Sequence, residues 1–359
     1  MASSVNPIPL VTLGAAKDHA SETAPGKVLR CAQDDKGAAE ATRPPLLVIA
    51  GPTAIGKTEA ALQVAEAVGG EIVSADSMQI YKVLQAGTAK PTAEERRRAA
   101  FHLIDFVDPR EPYSVADFQK DAHEAIAGVH SRGRLPILCG GTGLYIRSVL
   151  GGLNFPPGAT PETKELRERL EKEADTCGIE PLHKRLAQLD PPTARRLPIG
   201  DRRRIIRALE VCEHAGRPFS ELARVDATAQ VNYNAAAFAL TCPRPLLYER
   251  INARVDAMLA DGWLEEVMRL REGGLTLEHQ AMQAIGYRHL LKYLDANGDF
   301  GHVVEAIKRD TRRYAKRQLT WFRRENMQWL EWGTPQQFAQ AVQQLSNAAD
   351  DLINPTCDR

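Results

Sequence analysis

No apolar run in this chain of 359 residues approaches the roughly 20 residues that a membrane span requires. A secretory leader is missing too: Ile8–Ala16 is short and is interrupted by Pro9, Thr12 and Gly14. The first 45 residues are rich in Ala, Ser, Gly and Pro, with five basic and five acidic side chains, too acidic for a transit peptide. Cysteine pairing is absent as well. Cys31, Cys139, Cys177, Cys212, Cys242 and Cys357 are scattered without a C-x-x-C pair, which argues against a disulfide framework and a zinc site. Cys212 with His214 is a lone pair and makes no metal site. Finally there is no net charge. The balance of 46 basic against 46 acidic residues excludes a bulk-cationic coat protein but leaves room for a local basic face. A cytoplasmic address follows by elimination.

What is present is an alternation of strands and helices. Leu46–Ala50 is a continuous apolar run, the pattern of a strand buried on both faces. A Gly-rich turn follows, then helix formers over Lys57–Val68 and a Gly69-Gly70 stop. Glu71–Ala75, His102–Val107 and Leu135–Cys139 read as further strands, and Ser114 to Asp117 as a capping-box helix start. From about Pro161 to Val211 the chain is charged, helical in period and free of strand signals. Ala237–Cys242 returns to the sheet, long helices follow from Pro245 to Phe322, and Gln328–Trp332 reads as a last strand. Such alternation predicts a parallel sheet covered on both faces.

Gly51, Pro52, Thr53, Ala54, Ile55, Gly56, Lys57 and Thr58 fit G-x-x-x-x-G-K-[ST], between a strand and a helix. Glycines let successive N–H groups curl around one hollow, and the helix presents its positive end there. Lys57 adds a charge for terminal phosphate oxygens, and Thr58 is a candidate Mg²⁺ ligand. The loop therefore predicts a diphosphate or triphosphate. A nucleotide-hydrolysing enzyme usually adds an acid at the end of an apolar strand. Leu135–Cys139 instead ends in Cys-Gly-Gly, so hydrolysis is poorly supported.

Beyond the loop come Ser74-Ala75-Asp76-Ser77-Met78-Gln79-Ile80-Tyr81, Gly87-Thr88-Ala89-Lys90-Pro91, Tyr113-Ser-Val-Ala-Asp117-Phe118 and Gly140-Gly-Thr142-Gly-Leu-Tyr145. Arg207-Ala-Leu-Glu210, Gly286-Tyr287-Arg288 and Lys316-Arg317-Gln318-Leu-Thr-Trp321-Phe-Arg323 follow. In this order, over residues 46 to about 332, the set resembles the bacterial tRNA dimethylallyltransferases. The resemblance implies an α/β fold: a P-loop NTPase-like parallel sheet flanked by helices, with a helical insertion domain. The expected organisation is a disordered tail over 1–44, a core over 45–159 and 236–340, the insertion over 160–235 and a C-terminal tail over 341–359. It further implies dimethylallyl diphosphate as donor, Mg²⁺ as cofactor, and a monomer. The acceptor would be N6 of the adenosine 3′-adjacent to the anticodon (position 37), in tRNAs reading codons that start with U.

An adenine amine must shed a proton as the new C–N bond forms, and a nearby carboxylate is the simplest acceptor. Asp76 is the candidate, at a predicted strand end; its plainer reading is a helix cap, in capping-box spacing with Gln79. The resemblance adds a contact with the target base for Asp76, tRNA contacts for Ser77, Met78 and Gln79, and a contact with the substrate or its departing diphosphate for Thr142, whose plainer reading is a turn residue. Catalysis is thus expected from Asp76, Thr142 and Lys57. Two basic segments suit RNA: Arg202, Arg203 and Arg204 with Arg207, and Lys308–Arg324 with eight Lys or Arg around Tyr314, Trp321 and Phe322. By resemblance the tRNA contacts also include Lys164, Gly286, Tyr287, Arg288, Lys316, Arg317, Gln318, Trp321 and Arg323. The plainer reading is a solvated charged face over buried aromatics. Lys164 and Gln283 stand where the family often has Arg. An adenylate isopentenyltransferase is the nearest alternative, and a P-loop small-molecule kinase the next.

Overall fold

The computed structural model describes residues 43–151, 161–222, 233–296 and 298–355. The expected N-terminal tail falls almost entirely outside them. The core elements run β1 (Pro45–Ala50), α1 (Lys57–Val68), β2 (Glu71–Ser74), α2 (Glu95–Arg98), β3 (Phe101–His102), α3 (Val115–Ser131), β4 (Pro136–Gly140) and α4 (Gly143–Leu150). Then come five helices: α5 (Pro161–Cys177), α6 (Glu180–Leu189), α7 (Pro191–Arg196), α8 (Arg202–Ala215) and α9 (Phe219–Leu222). The chain re-enters the sheet at β5 (Asn234–Thr241) and continues as α10 (Arg244–Ala260), α11 (Trp263–Glu272), α12 (Tyr287–Ala296), α13 (Phe300–Phe322), β6 (Gln328–Glu331) and α14 (Pro335–Ile353).

The six strands form one parallel sheet in the order β3-β2-β4-β1-β5-β6. β1 lies inside, and its alternate residues serve two cores: Leu46, Val48 and Ala50 face one, Leu47 and Ile49 the other. That double burial is why its sequence is apolar without alternation. Phe118, Ala122 and Ile126 of α3 close the first face; Ala60, Ala61 and Val64 of α1 close the second. α1 stops at Gly69, which takes the left-handed φ of 66° and donates its N–H to Ala65. α3 begins with the reciprocal Ser114–Asp117 capping box.

Two expectations are corrected. Residues 341–353 are not a tail. They belong to α14, opened by a Thr334–Gln337 capping box and a proline in its first turn. Ala341, Val342, Leu345 and Ala349 recur at helical spacing and pack into the core behind Leu47 and Ile49. The strand expected over His102–Val107 shrinks to Phe101–His102, because Leu103 and Asp105 both take φ of 61° and turn the chain off the sheet edge. Asp105 is held there by ion pairs to Lys90 and Arg96. The helices α5 to α9 build a separate core around Leu170, Leu182, Leu186, Ile205 and Leu209. Its surface is laced by charge pairs, among them Arg167 and Arg207 on the buried Glu210 and Arg202 on Glu171 and Asp175.

Candidate active site at the strand ends

The C-terminal ends of β1, β2 and β4 are neighbours in the sheet, so three turns separated in sequence meet at one edge. The turn after β1 is the glycine loop. Gly51 takes φ of 145°, and a Cβ there would lie 2.7 Å from the Leu240 carbonyl oxygen, so no larger residue fits. No side chain caps α1, which leaves its first-turn N–H groups free for an anion. Lys57 Nζ donates to the Pro52 carbonyl at 2.8 Å and so folds back over the loop. Burial pulls its ammonium down to about 8; Cys139 and Asp76 oppose that pull and Arg254 adds to it. A doubly charged ligand in the hollow would restore the balance. Cys139, at the end of β4, is held as a thiol near 11 by burial and is no nucleophile.

The second and third turns interlock. Thr142 N donates to Ala75 O at 3.1 Å, and Ser77 N donates to Thr142 Oγ1 at 3.1 Å. Gly140 is obligatory here, since a Cβ would meet the Ala75 carbonyl oxygen at 2.2 Å. Asp76 Oδ1 accepts N–H groups from Met78 at 2.9 Å and Gln79 at 3.4 Å. The helix cap expected from the sequence is instead a turn, since no helix follows and the Gln79 side chain bonds Thr88 and Ala89. One oxygen organises the turn, while Oδ2 has no hydrogen-bond partner among the described residues. The carboxylate acts electrostatically on Lys57, Cys139, Tyr145, Arg254 and Tyr314, which places it beside the loop.

Two residues of the site were missed in the sequence, and a third, Tyr314, was read only as an aromatic of the RNA-facing segment. Arg250 Nε donates to Ala54 O at 2.8 Å while its guanidinium lies over the Trp332 ring. Arg254, one turn on along α10, makes no hydrogen bond or ion pair among the described residues. Burial lowers its pKa, with Asp76 opposing and Arg250 reinforcing. Two arginines four apart repel unless something anionic lies between them, and that spacing was the available signal. Tyr314 on α13 lies beside this cluster; burial and the Asp76 charge raise its pKa.

The expected RNA contacts divide. Lys164, Arg203, Lys316 and Arg323 are exposed. Arg317 lies over the Tyr314 ring at 5.6 Å. Arg204 pairs with Asp201 at 3.2 Å, Arg207 with Glu210, and Arg288 with Asp310 at 3.4 Å, so each already has an acidic partner. Five of the expected contact residues are engaged within the protein. Gln318 is buried: its Oε1 accepts Thr53 N at 2.9 Å and its Nε2 donates to Gly141 O at 2.8 Å, so it joins two glycine turns. Gln79 donates to Thr88 O and Ala89 O and accepts from the Ser74 hydroxyl, leaving its amide committed within the protein. Tyr287 is wholly buried, and Gly286 packs against Trp263. Trp321 is half-buried and lies close over Gly143, where a Cβ would come within 2.3 Å of the ring.

The chain is similar to known proteins in sequence and fold. A family model described as IPP transferase matches residues 79–325, and one described as isopentenyl transferase matches residues 44–104. The chain is 49% identical over 290 residues to the tRNA dimethylallyltransferase 1 of Trichlorobacter lovleyi, covering 80% of this chain and 94% of that protein. The chain belongs to the IPP transferase family. The tRNA dimethylallyltransferase of Desulforudis audaxviator is 50% identical over 290 residues, 80% of this chain and 92% of that one. A solved tRNA isopentenylpyrophosphate transferase from Bacillus halodurans superposes with a TM-score of 0.64 at 38% identity, over 87% of this chain and 98% of its own. A eukaryotic dimethylallyltransferase acting on tRNA superposes with a TM-score of 0.74 at 27% identity, over 87% and 80%. The P-loop NTPase-like sheet is thus the fold of an IPP transferase, and this member is an enzyme of tRNA modification. No helix among the described residues is long and apolar enough to cross a membrane.

Proposed function

We propose that the protein transfers the dimethylallyl group of dimethylallyl diphosphate to N6 of adenosine 37, beside the anticodon, in tRNAs that read codons starting with U. The products are N6-dimethylallyladenosine and diphosphate, and the enzyme acts as a cytoplasmic monomer. The observation that carries this reading is the meeting of a phosphate-binding loop and a carboxylate with one free oxygen in a single charged cluster. The loop N–H groups, Lys57 and Arg254 supply positive potential for the diphosphate. Asp76 Oδ2 supplies a proton acceptor a strand away.

The chemistry then follows from the residues. The N6 lone pair attacks C1 of the prenyl group as the C1–O bond breaks, and the N6 proton passes to Asp76 Oδ2. Negative charge grows on the departing diphosphate, where fixed N–H groups and the two cations stabilise it most. Thr142, locked to Ser77, ties the acceptor turn to the turn after β4, which Gln318 in turn joins to the donor loop through Gly141 and Thr53. Thr58, in the first turn of α1, is placed to ligate Mg²⁺. No group of three His, Cys, Asp or Glu among the described residues could hold a metal alone, so the remaining ligands would come from diphosphate and water. Bound there, Mg²⁺ supplies further neutralisation of the leaving group.

The test is labelled dimethylallyl diphosphate offered with unmodified tRNA, with AMP, or with tRNA plus ATP. Label in tRNA at adenosine 37 is expected, with none in AMP and no ATP turnover. Label in AMP alone would move the protein to the adenylate isopentenyltransferases. Robust ATP hydrolysis would favour a kinase-like role.

A further inference from the structure

The motifs around Gly87 and Gly286 have no part in the chemistry above, yet they meet in one place. Trp263, at the start of α11, lies between them: a Cβ at Gly87 would come 2.1 Å from its Nε1, and one at Gly286 1.9 Å from its ring. Three residues on, Glu266 is buried. Its Oε2 accepts the N–H groups of Gln85 at 3.0 Å and Ala86 at 2.9 Å, and its Oε1 accepts the Tyr287 hydroxyl at 2.6 Å. The Tyr287 oxygen in turn accepts Gly87 N at 3.1 Å. Two side chains from α11 and α12 therefore fix three successive backbone amides. The next two residues turn their carbonyls onto Gln79 Nε2, Thr88 O at 3.2 Å and Ala89 O at 3.1 Å. Gln79 is itself bound through its backbone N–H to Asp76 Oδ1 at 3.4 Å.

We propose that Glu266 and Tyr287 are positioning residues for Asp76, acting through the 85–89 segment and Gln79. The proposal rests on the reading of Asp76 as the proton acceptor. A carboxylate suits position 266 because it offers acceptors only: two amides and a phenol all point donors at it. An amide there would aim an N–H at a hydroxyl that already receives one. Neither residue belongs to the loop that holds the donor. Their loss should therefore be felt in the chemical step and not in donor binding. A proton acceptor displaced by a fraction of an ångström loses much of its effect.

Tyr287→Phe keeps the buried ring and removes only the hydroxyl. Single-turnover transfer to unmodified tRNA should slow by about 10–100-fold. Dissociation constants for dimethylallyl diphosphate and tRNA should stay within about twofold, and Glu266→Gln should behave alike. The decisive comparison is in an Asp76→Asn background, where Tyr287→Phe should cost almost nothing further, because coupled residues are not additive. An unchanged rate for both Tyr287→Phe and Glu266→Gln overturns the proposal. So does an equal loss in both backgrounds, which a purely structural role would give. Near-normal transfer by Asp76→Asn alone would instead remove the reading of Asp76 beneath it.

Discussion

The strand-end site and the helical insertion both hold many polar groups, but they hold them differently. At the strand ends the fixed points are single side chains on backbone atoms: Gln318 on Thr53 and Gly141, Gln79 on Thr88 and Ala89, Arg250 on Ala54. In the insertion, charge meets charge near the surface. Arg185 pairs with Glu173 and Glu213, Arg169 with Glu213, and Arg167 and Arg207 with Glu210. A backbone partner cannot move away, so the first device sets geometry. Exposed ion pairs re-form in several arrangements and are worth little individually. The first region should therefore be brittle in rate, and the second tolerant in rate but responsive to salt.

The largest effect expected is at Asp76. Asp76→Asn should reduce the single-turnover rate by about 10²–10⁴, the usual span for a general base, with the thermal midpoint nearly unchanged. A loss of only a few-fold would leave Asp76 the turn-forming role of its Oδ1 and nothing more.

Lys57 comes next. Lys57→Ala should slow transfer by about 10²–10³ and weaken diphosphate binding while tRNA binding persists. Its pH dependence has a definite sign. With the ammonium drawn down to about 8 by burial, the charged form prevails below that pH and is lost above it. Affinity for inorganic diphosphate should accordingly weaken as pH rises through about 8, and Lys57→Arg, which keeps its charge, should not share that weakening. Equal pH profiles for the two proteins would take Lys57 out of the anion site.

In the insertion the sharpest probe is Glu210, whose side chain is 1% exposed beneath two arginines. Glu210→Ala should destabilise the protein by about 1–3 kcal/mol, the cost of stranding its partners, less what water recovers at their exposed ends. Donor affinity should not change. A donor Kd shifted several-fold would show that the two regions are not separable in this way. The smallest effect belongs to the exposed cations. Lys316→Ala with Arg323→Ala should flatten the log–log salt dependence of tRNA binding by about one to one and a half units, near 0.7 for each phosphate of a single-stranded loop. An unchanged slope would mean that these side chains are merely solvated.

What could be read in the sequence follows chain distance. The glycine loop was legible because all its requirements fall within eight consecutive residues, and the Asp76 turn because its partners lie two and three residues on. β1, α1 and the start of α3 announced themselves by local pattern and caps. Gln318 was placed with the RNA contacts because it sits in a basic helix. Its partner Thr53 lies 265 positions away, and nothing local marks which face of that helix is inside. Tyr287 was misplaced for the same reason, since its partners come from Gly87 and Glu266. The final helix was legible in principle, through Ala341, Val342, Leu345 and Ala349, but polar residues around that stripe made it read as a tail.

The position of that final helix bears on how the enzyme is made. Phe338 packs beside Gly56, where even a Cβ would lie 3.2 Å from its ring, and Ala341 and Leu345 help cover the face of β1. The donor loop leaves a ribosome long before the residues that back it. At ordinary synthesis rates of roughly 5–20 residues per second, the loop waits for tens of seconds with that flank open. Nascent chains arrested before Phe338 emerges should carry the whole glycine motif without a finished anion site. Competence to bind diphosphate would then arrive abruptly once Phe338 is in place, and a chain released before it would be silent rather than partly active.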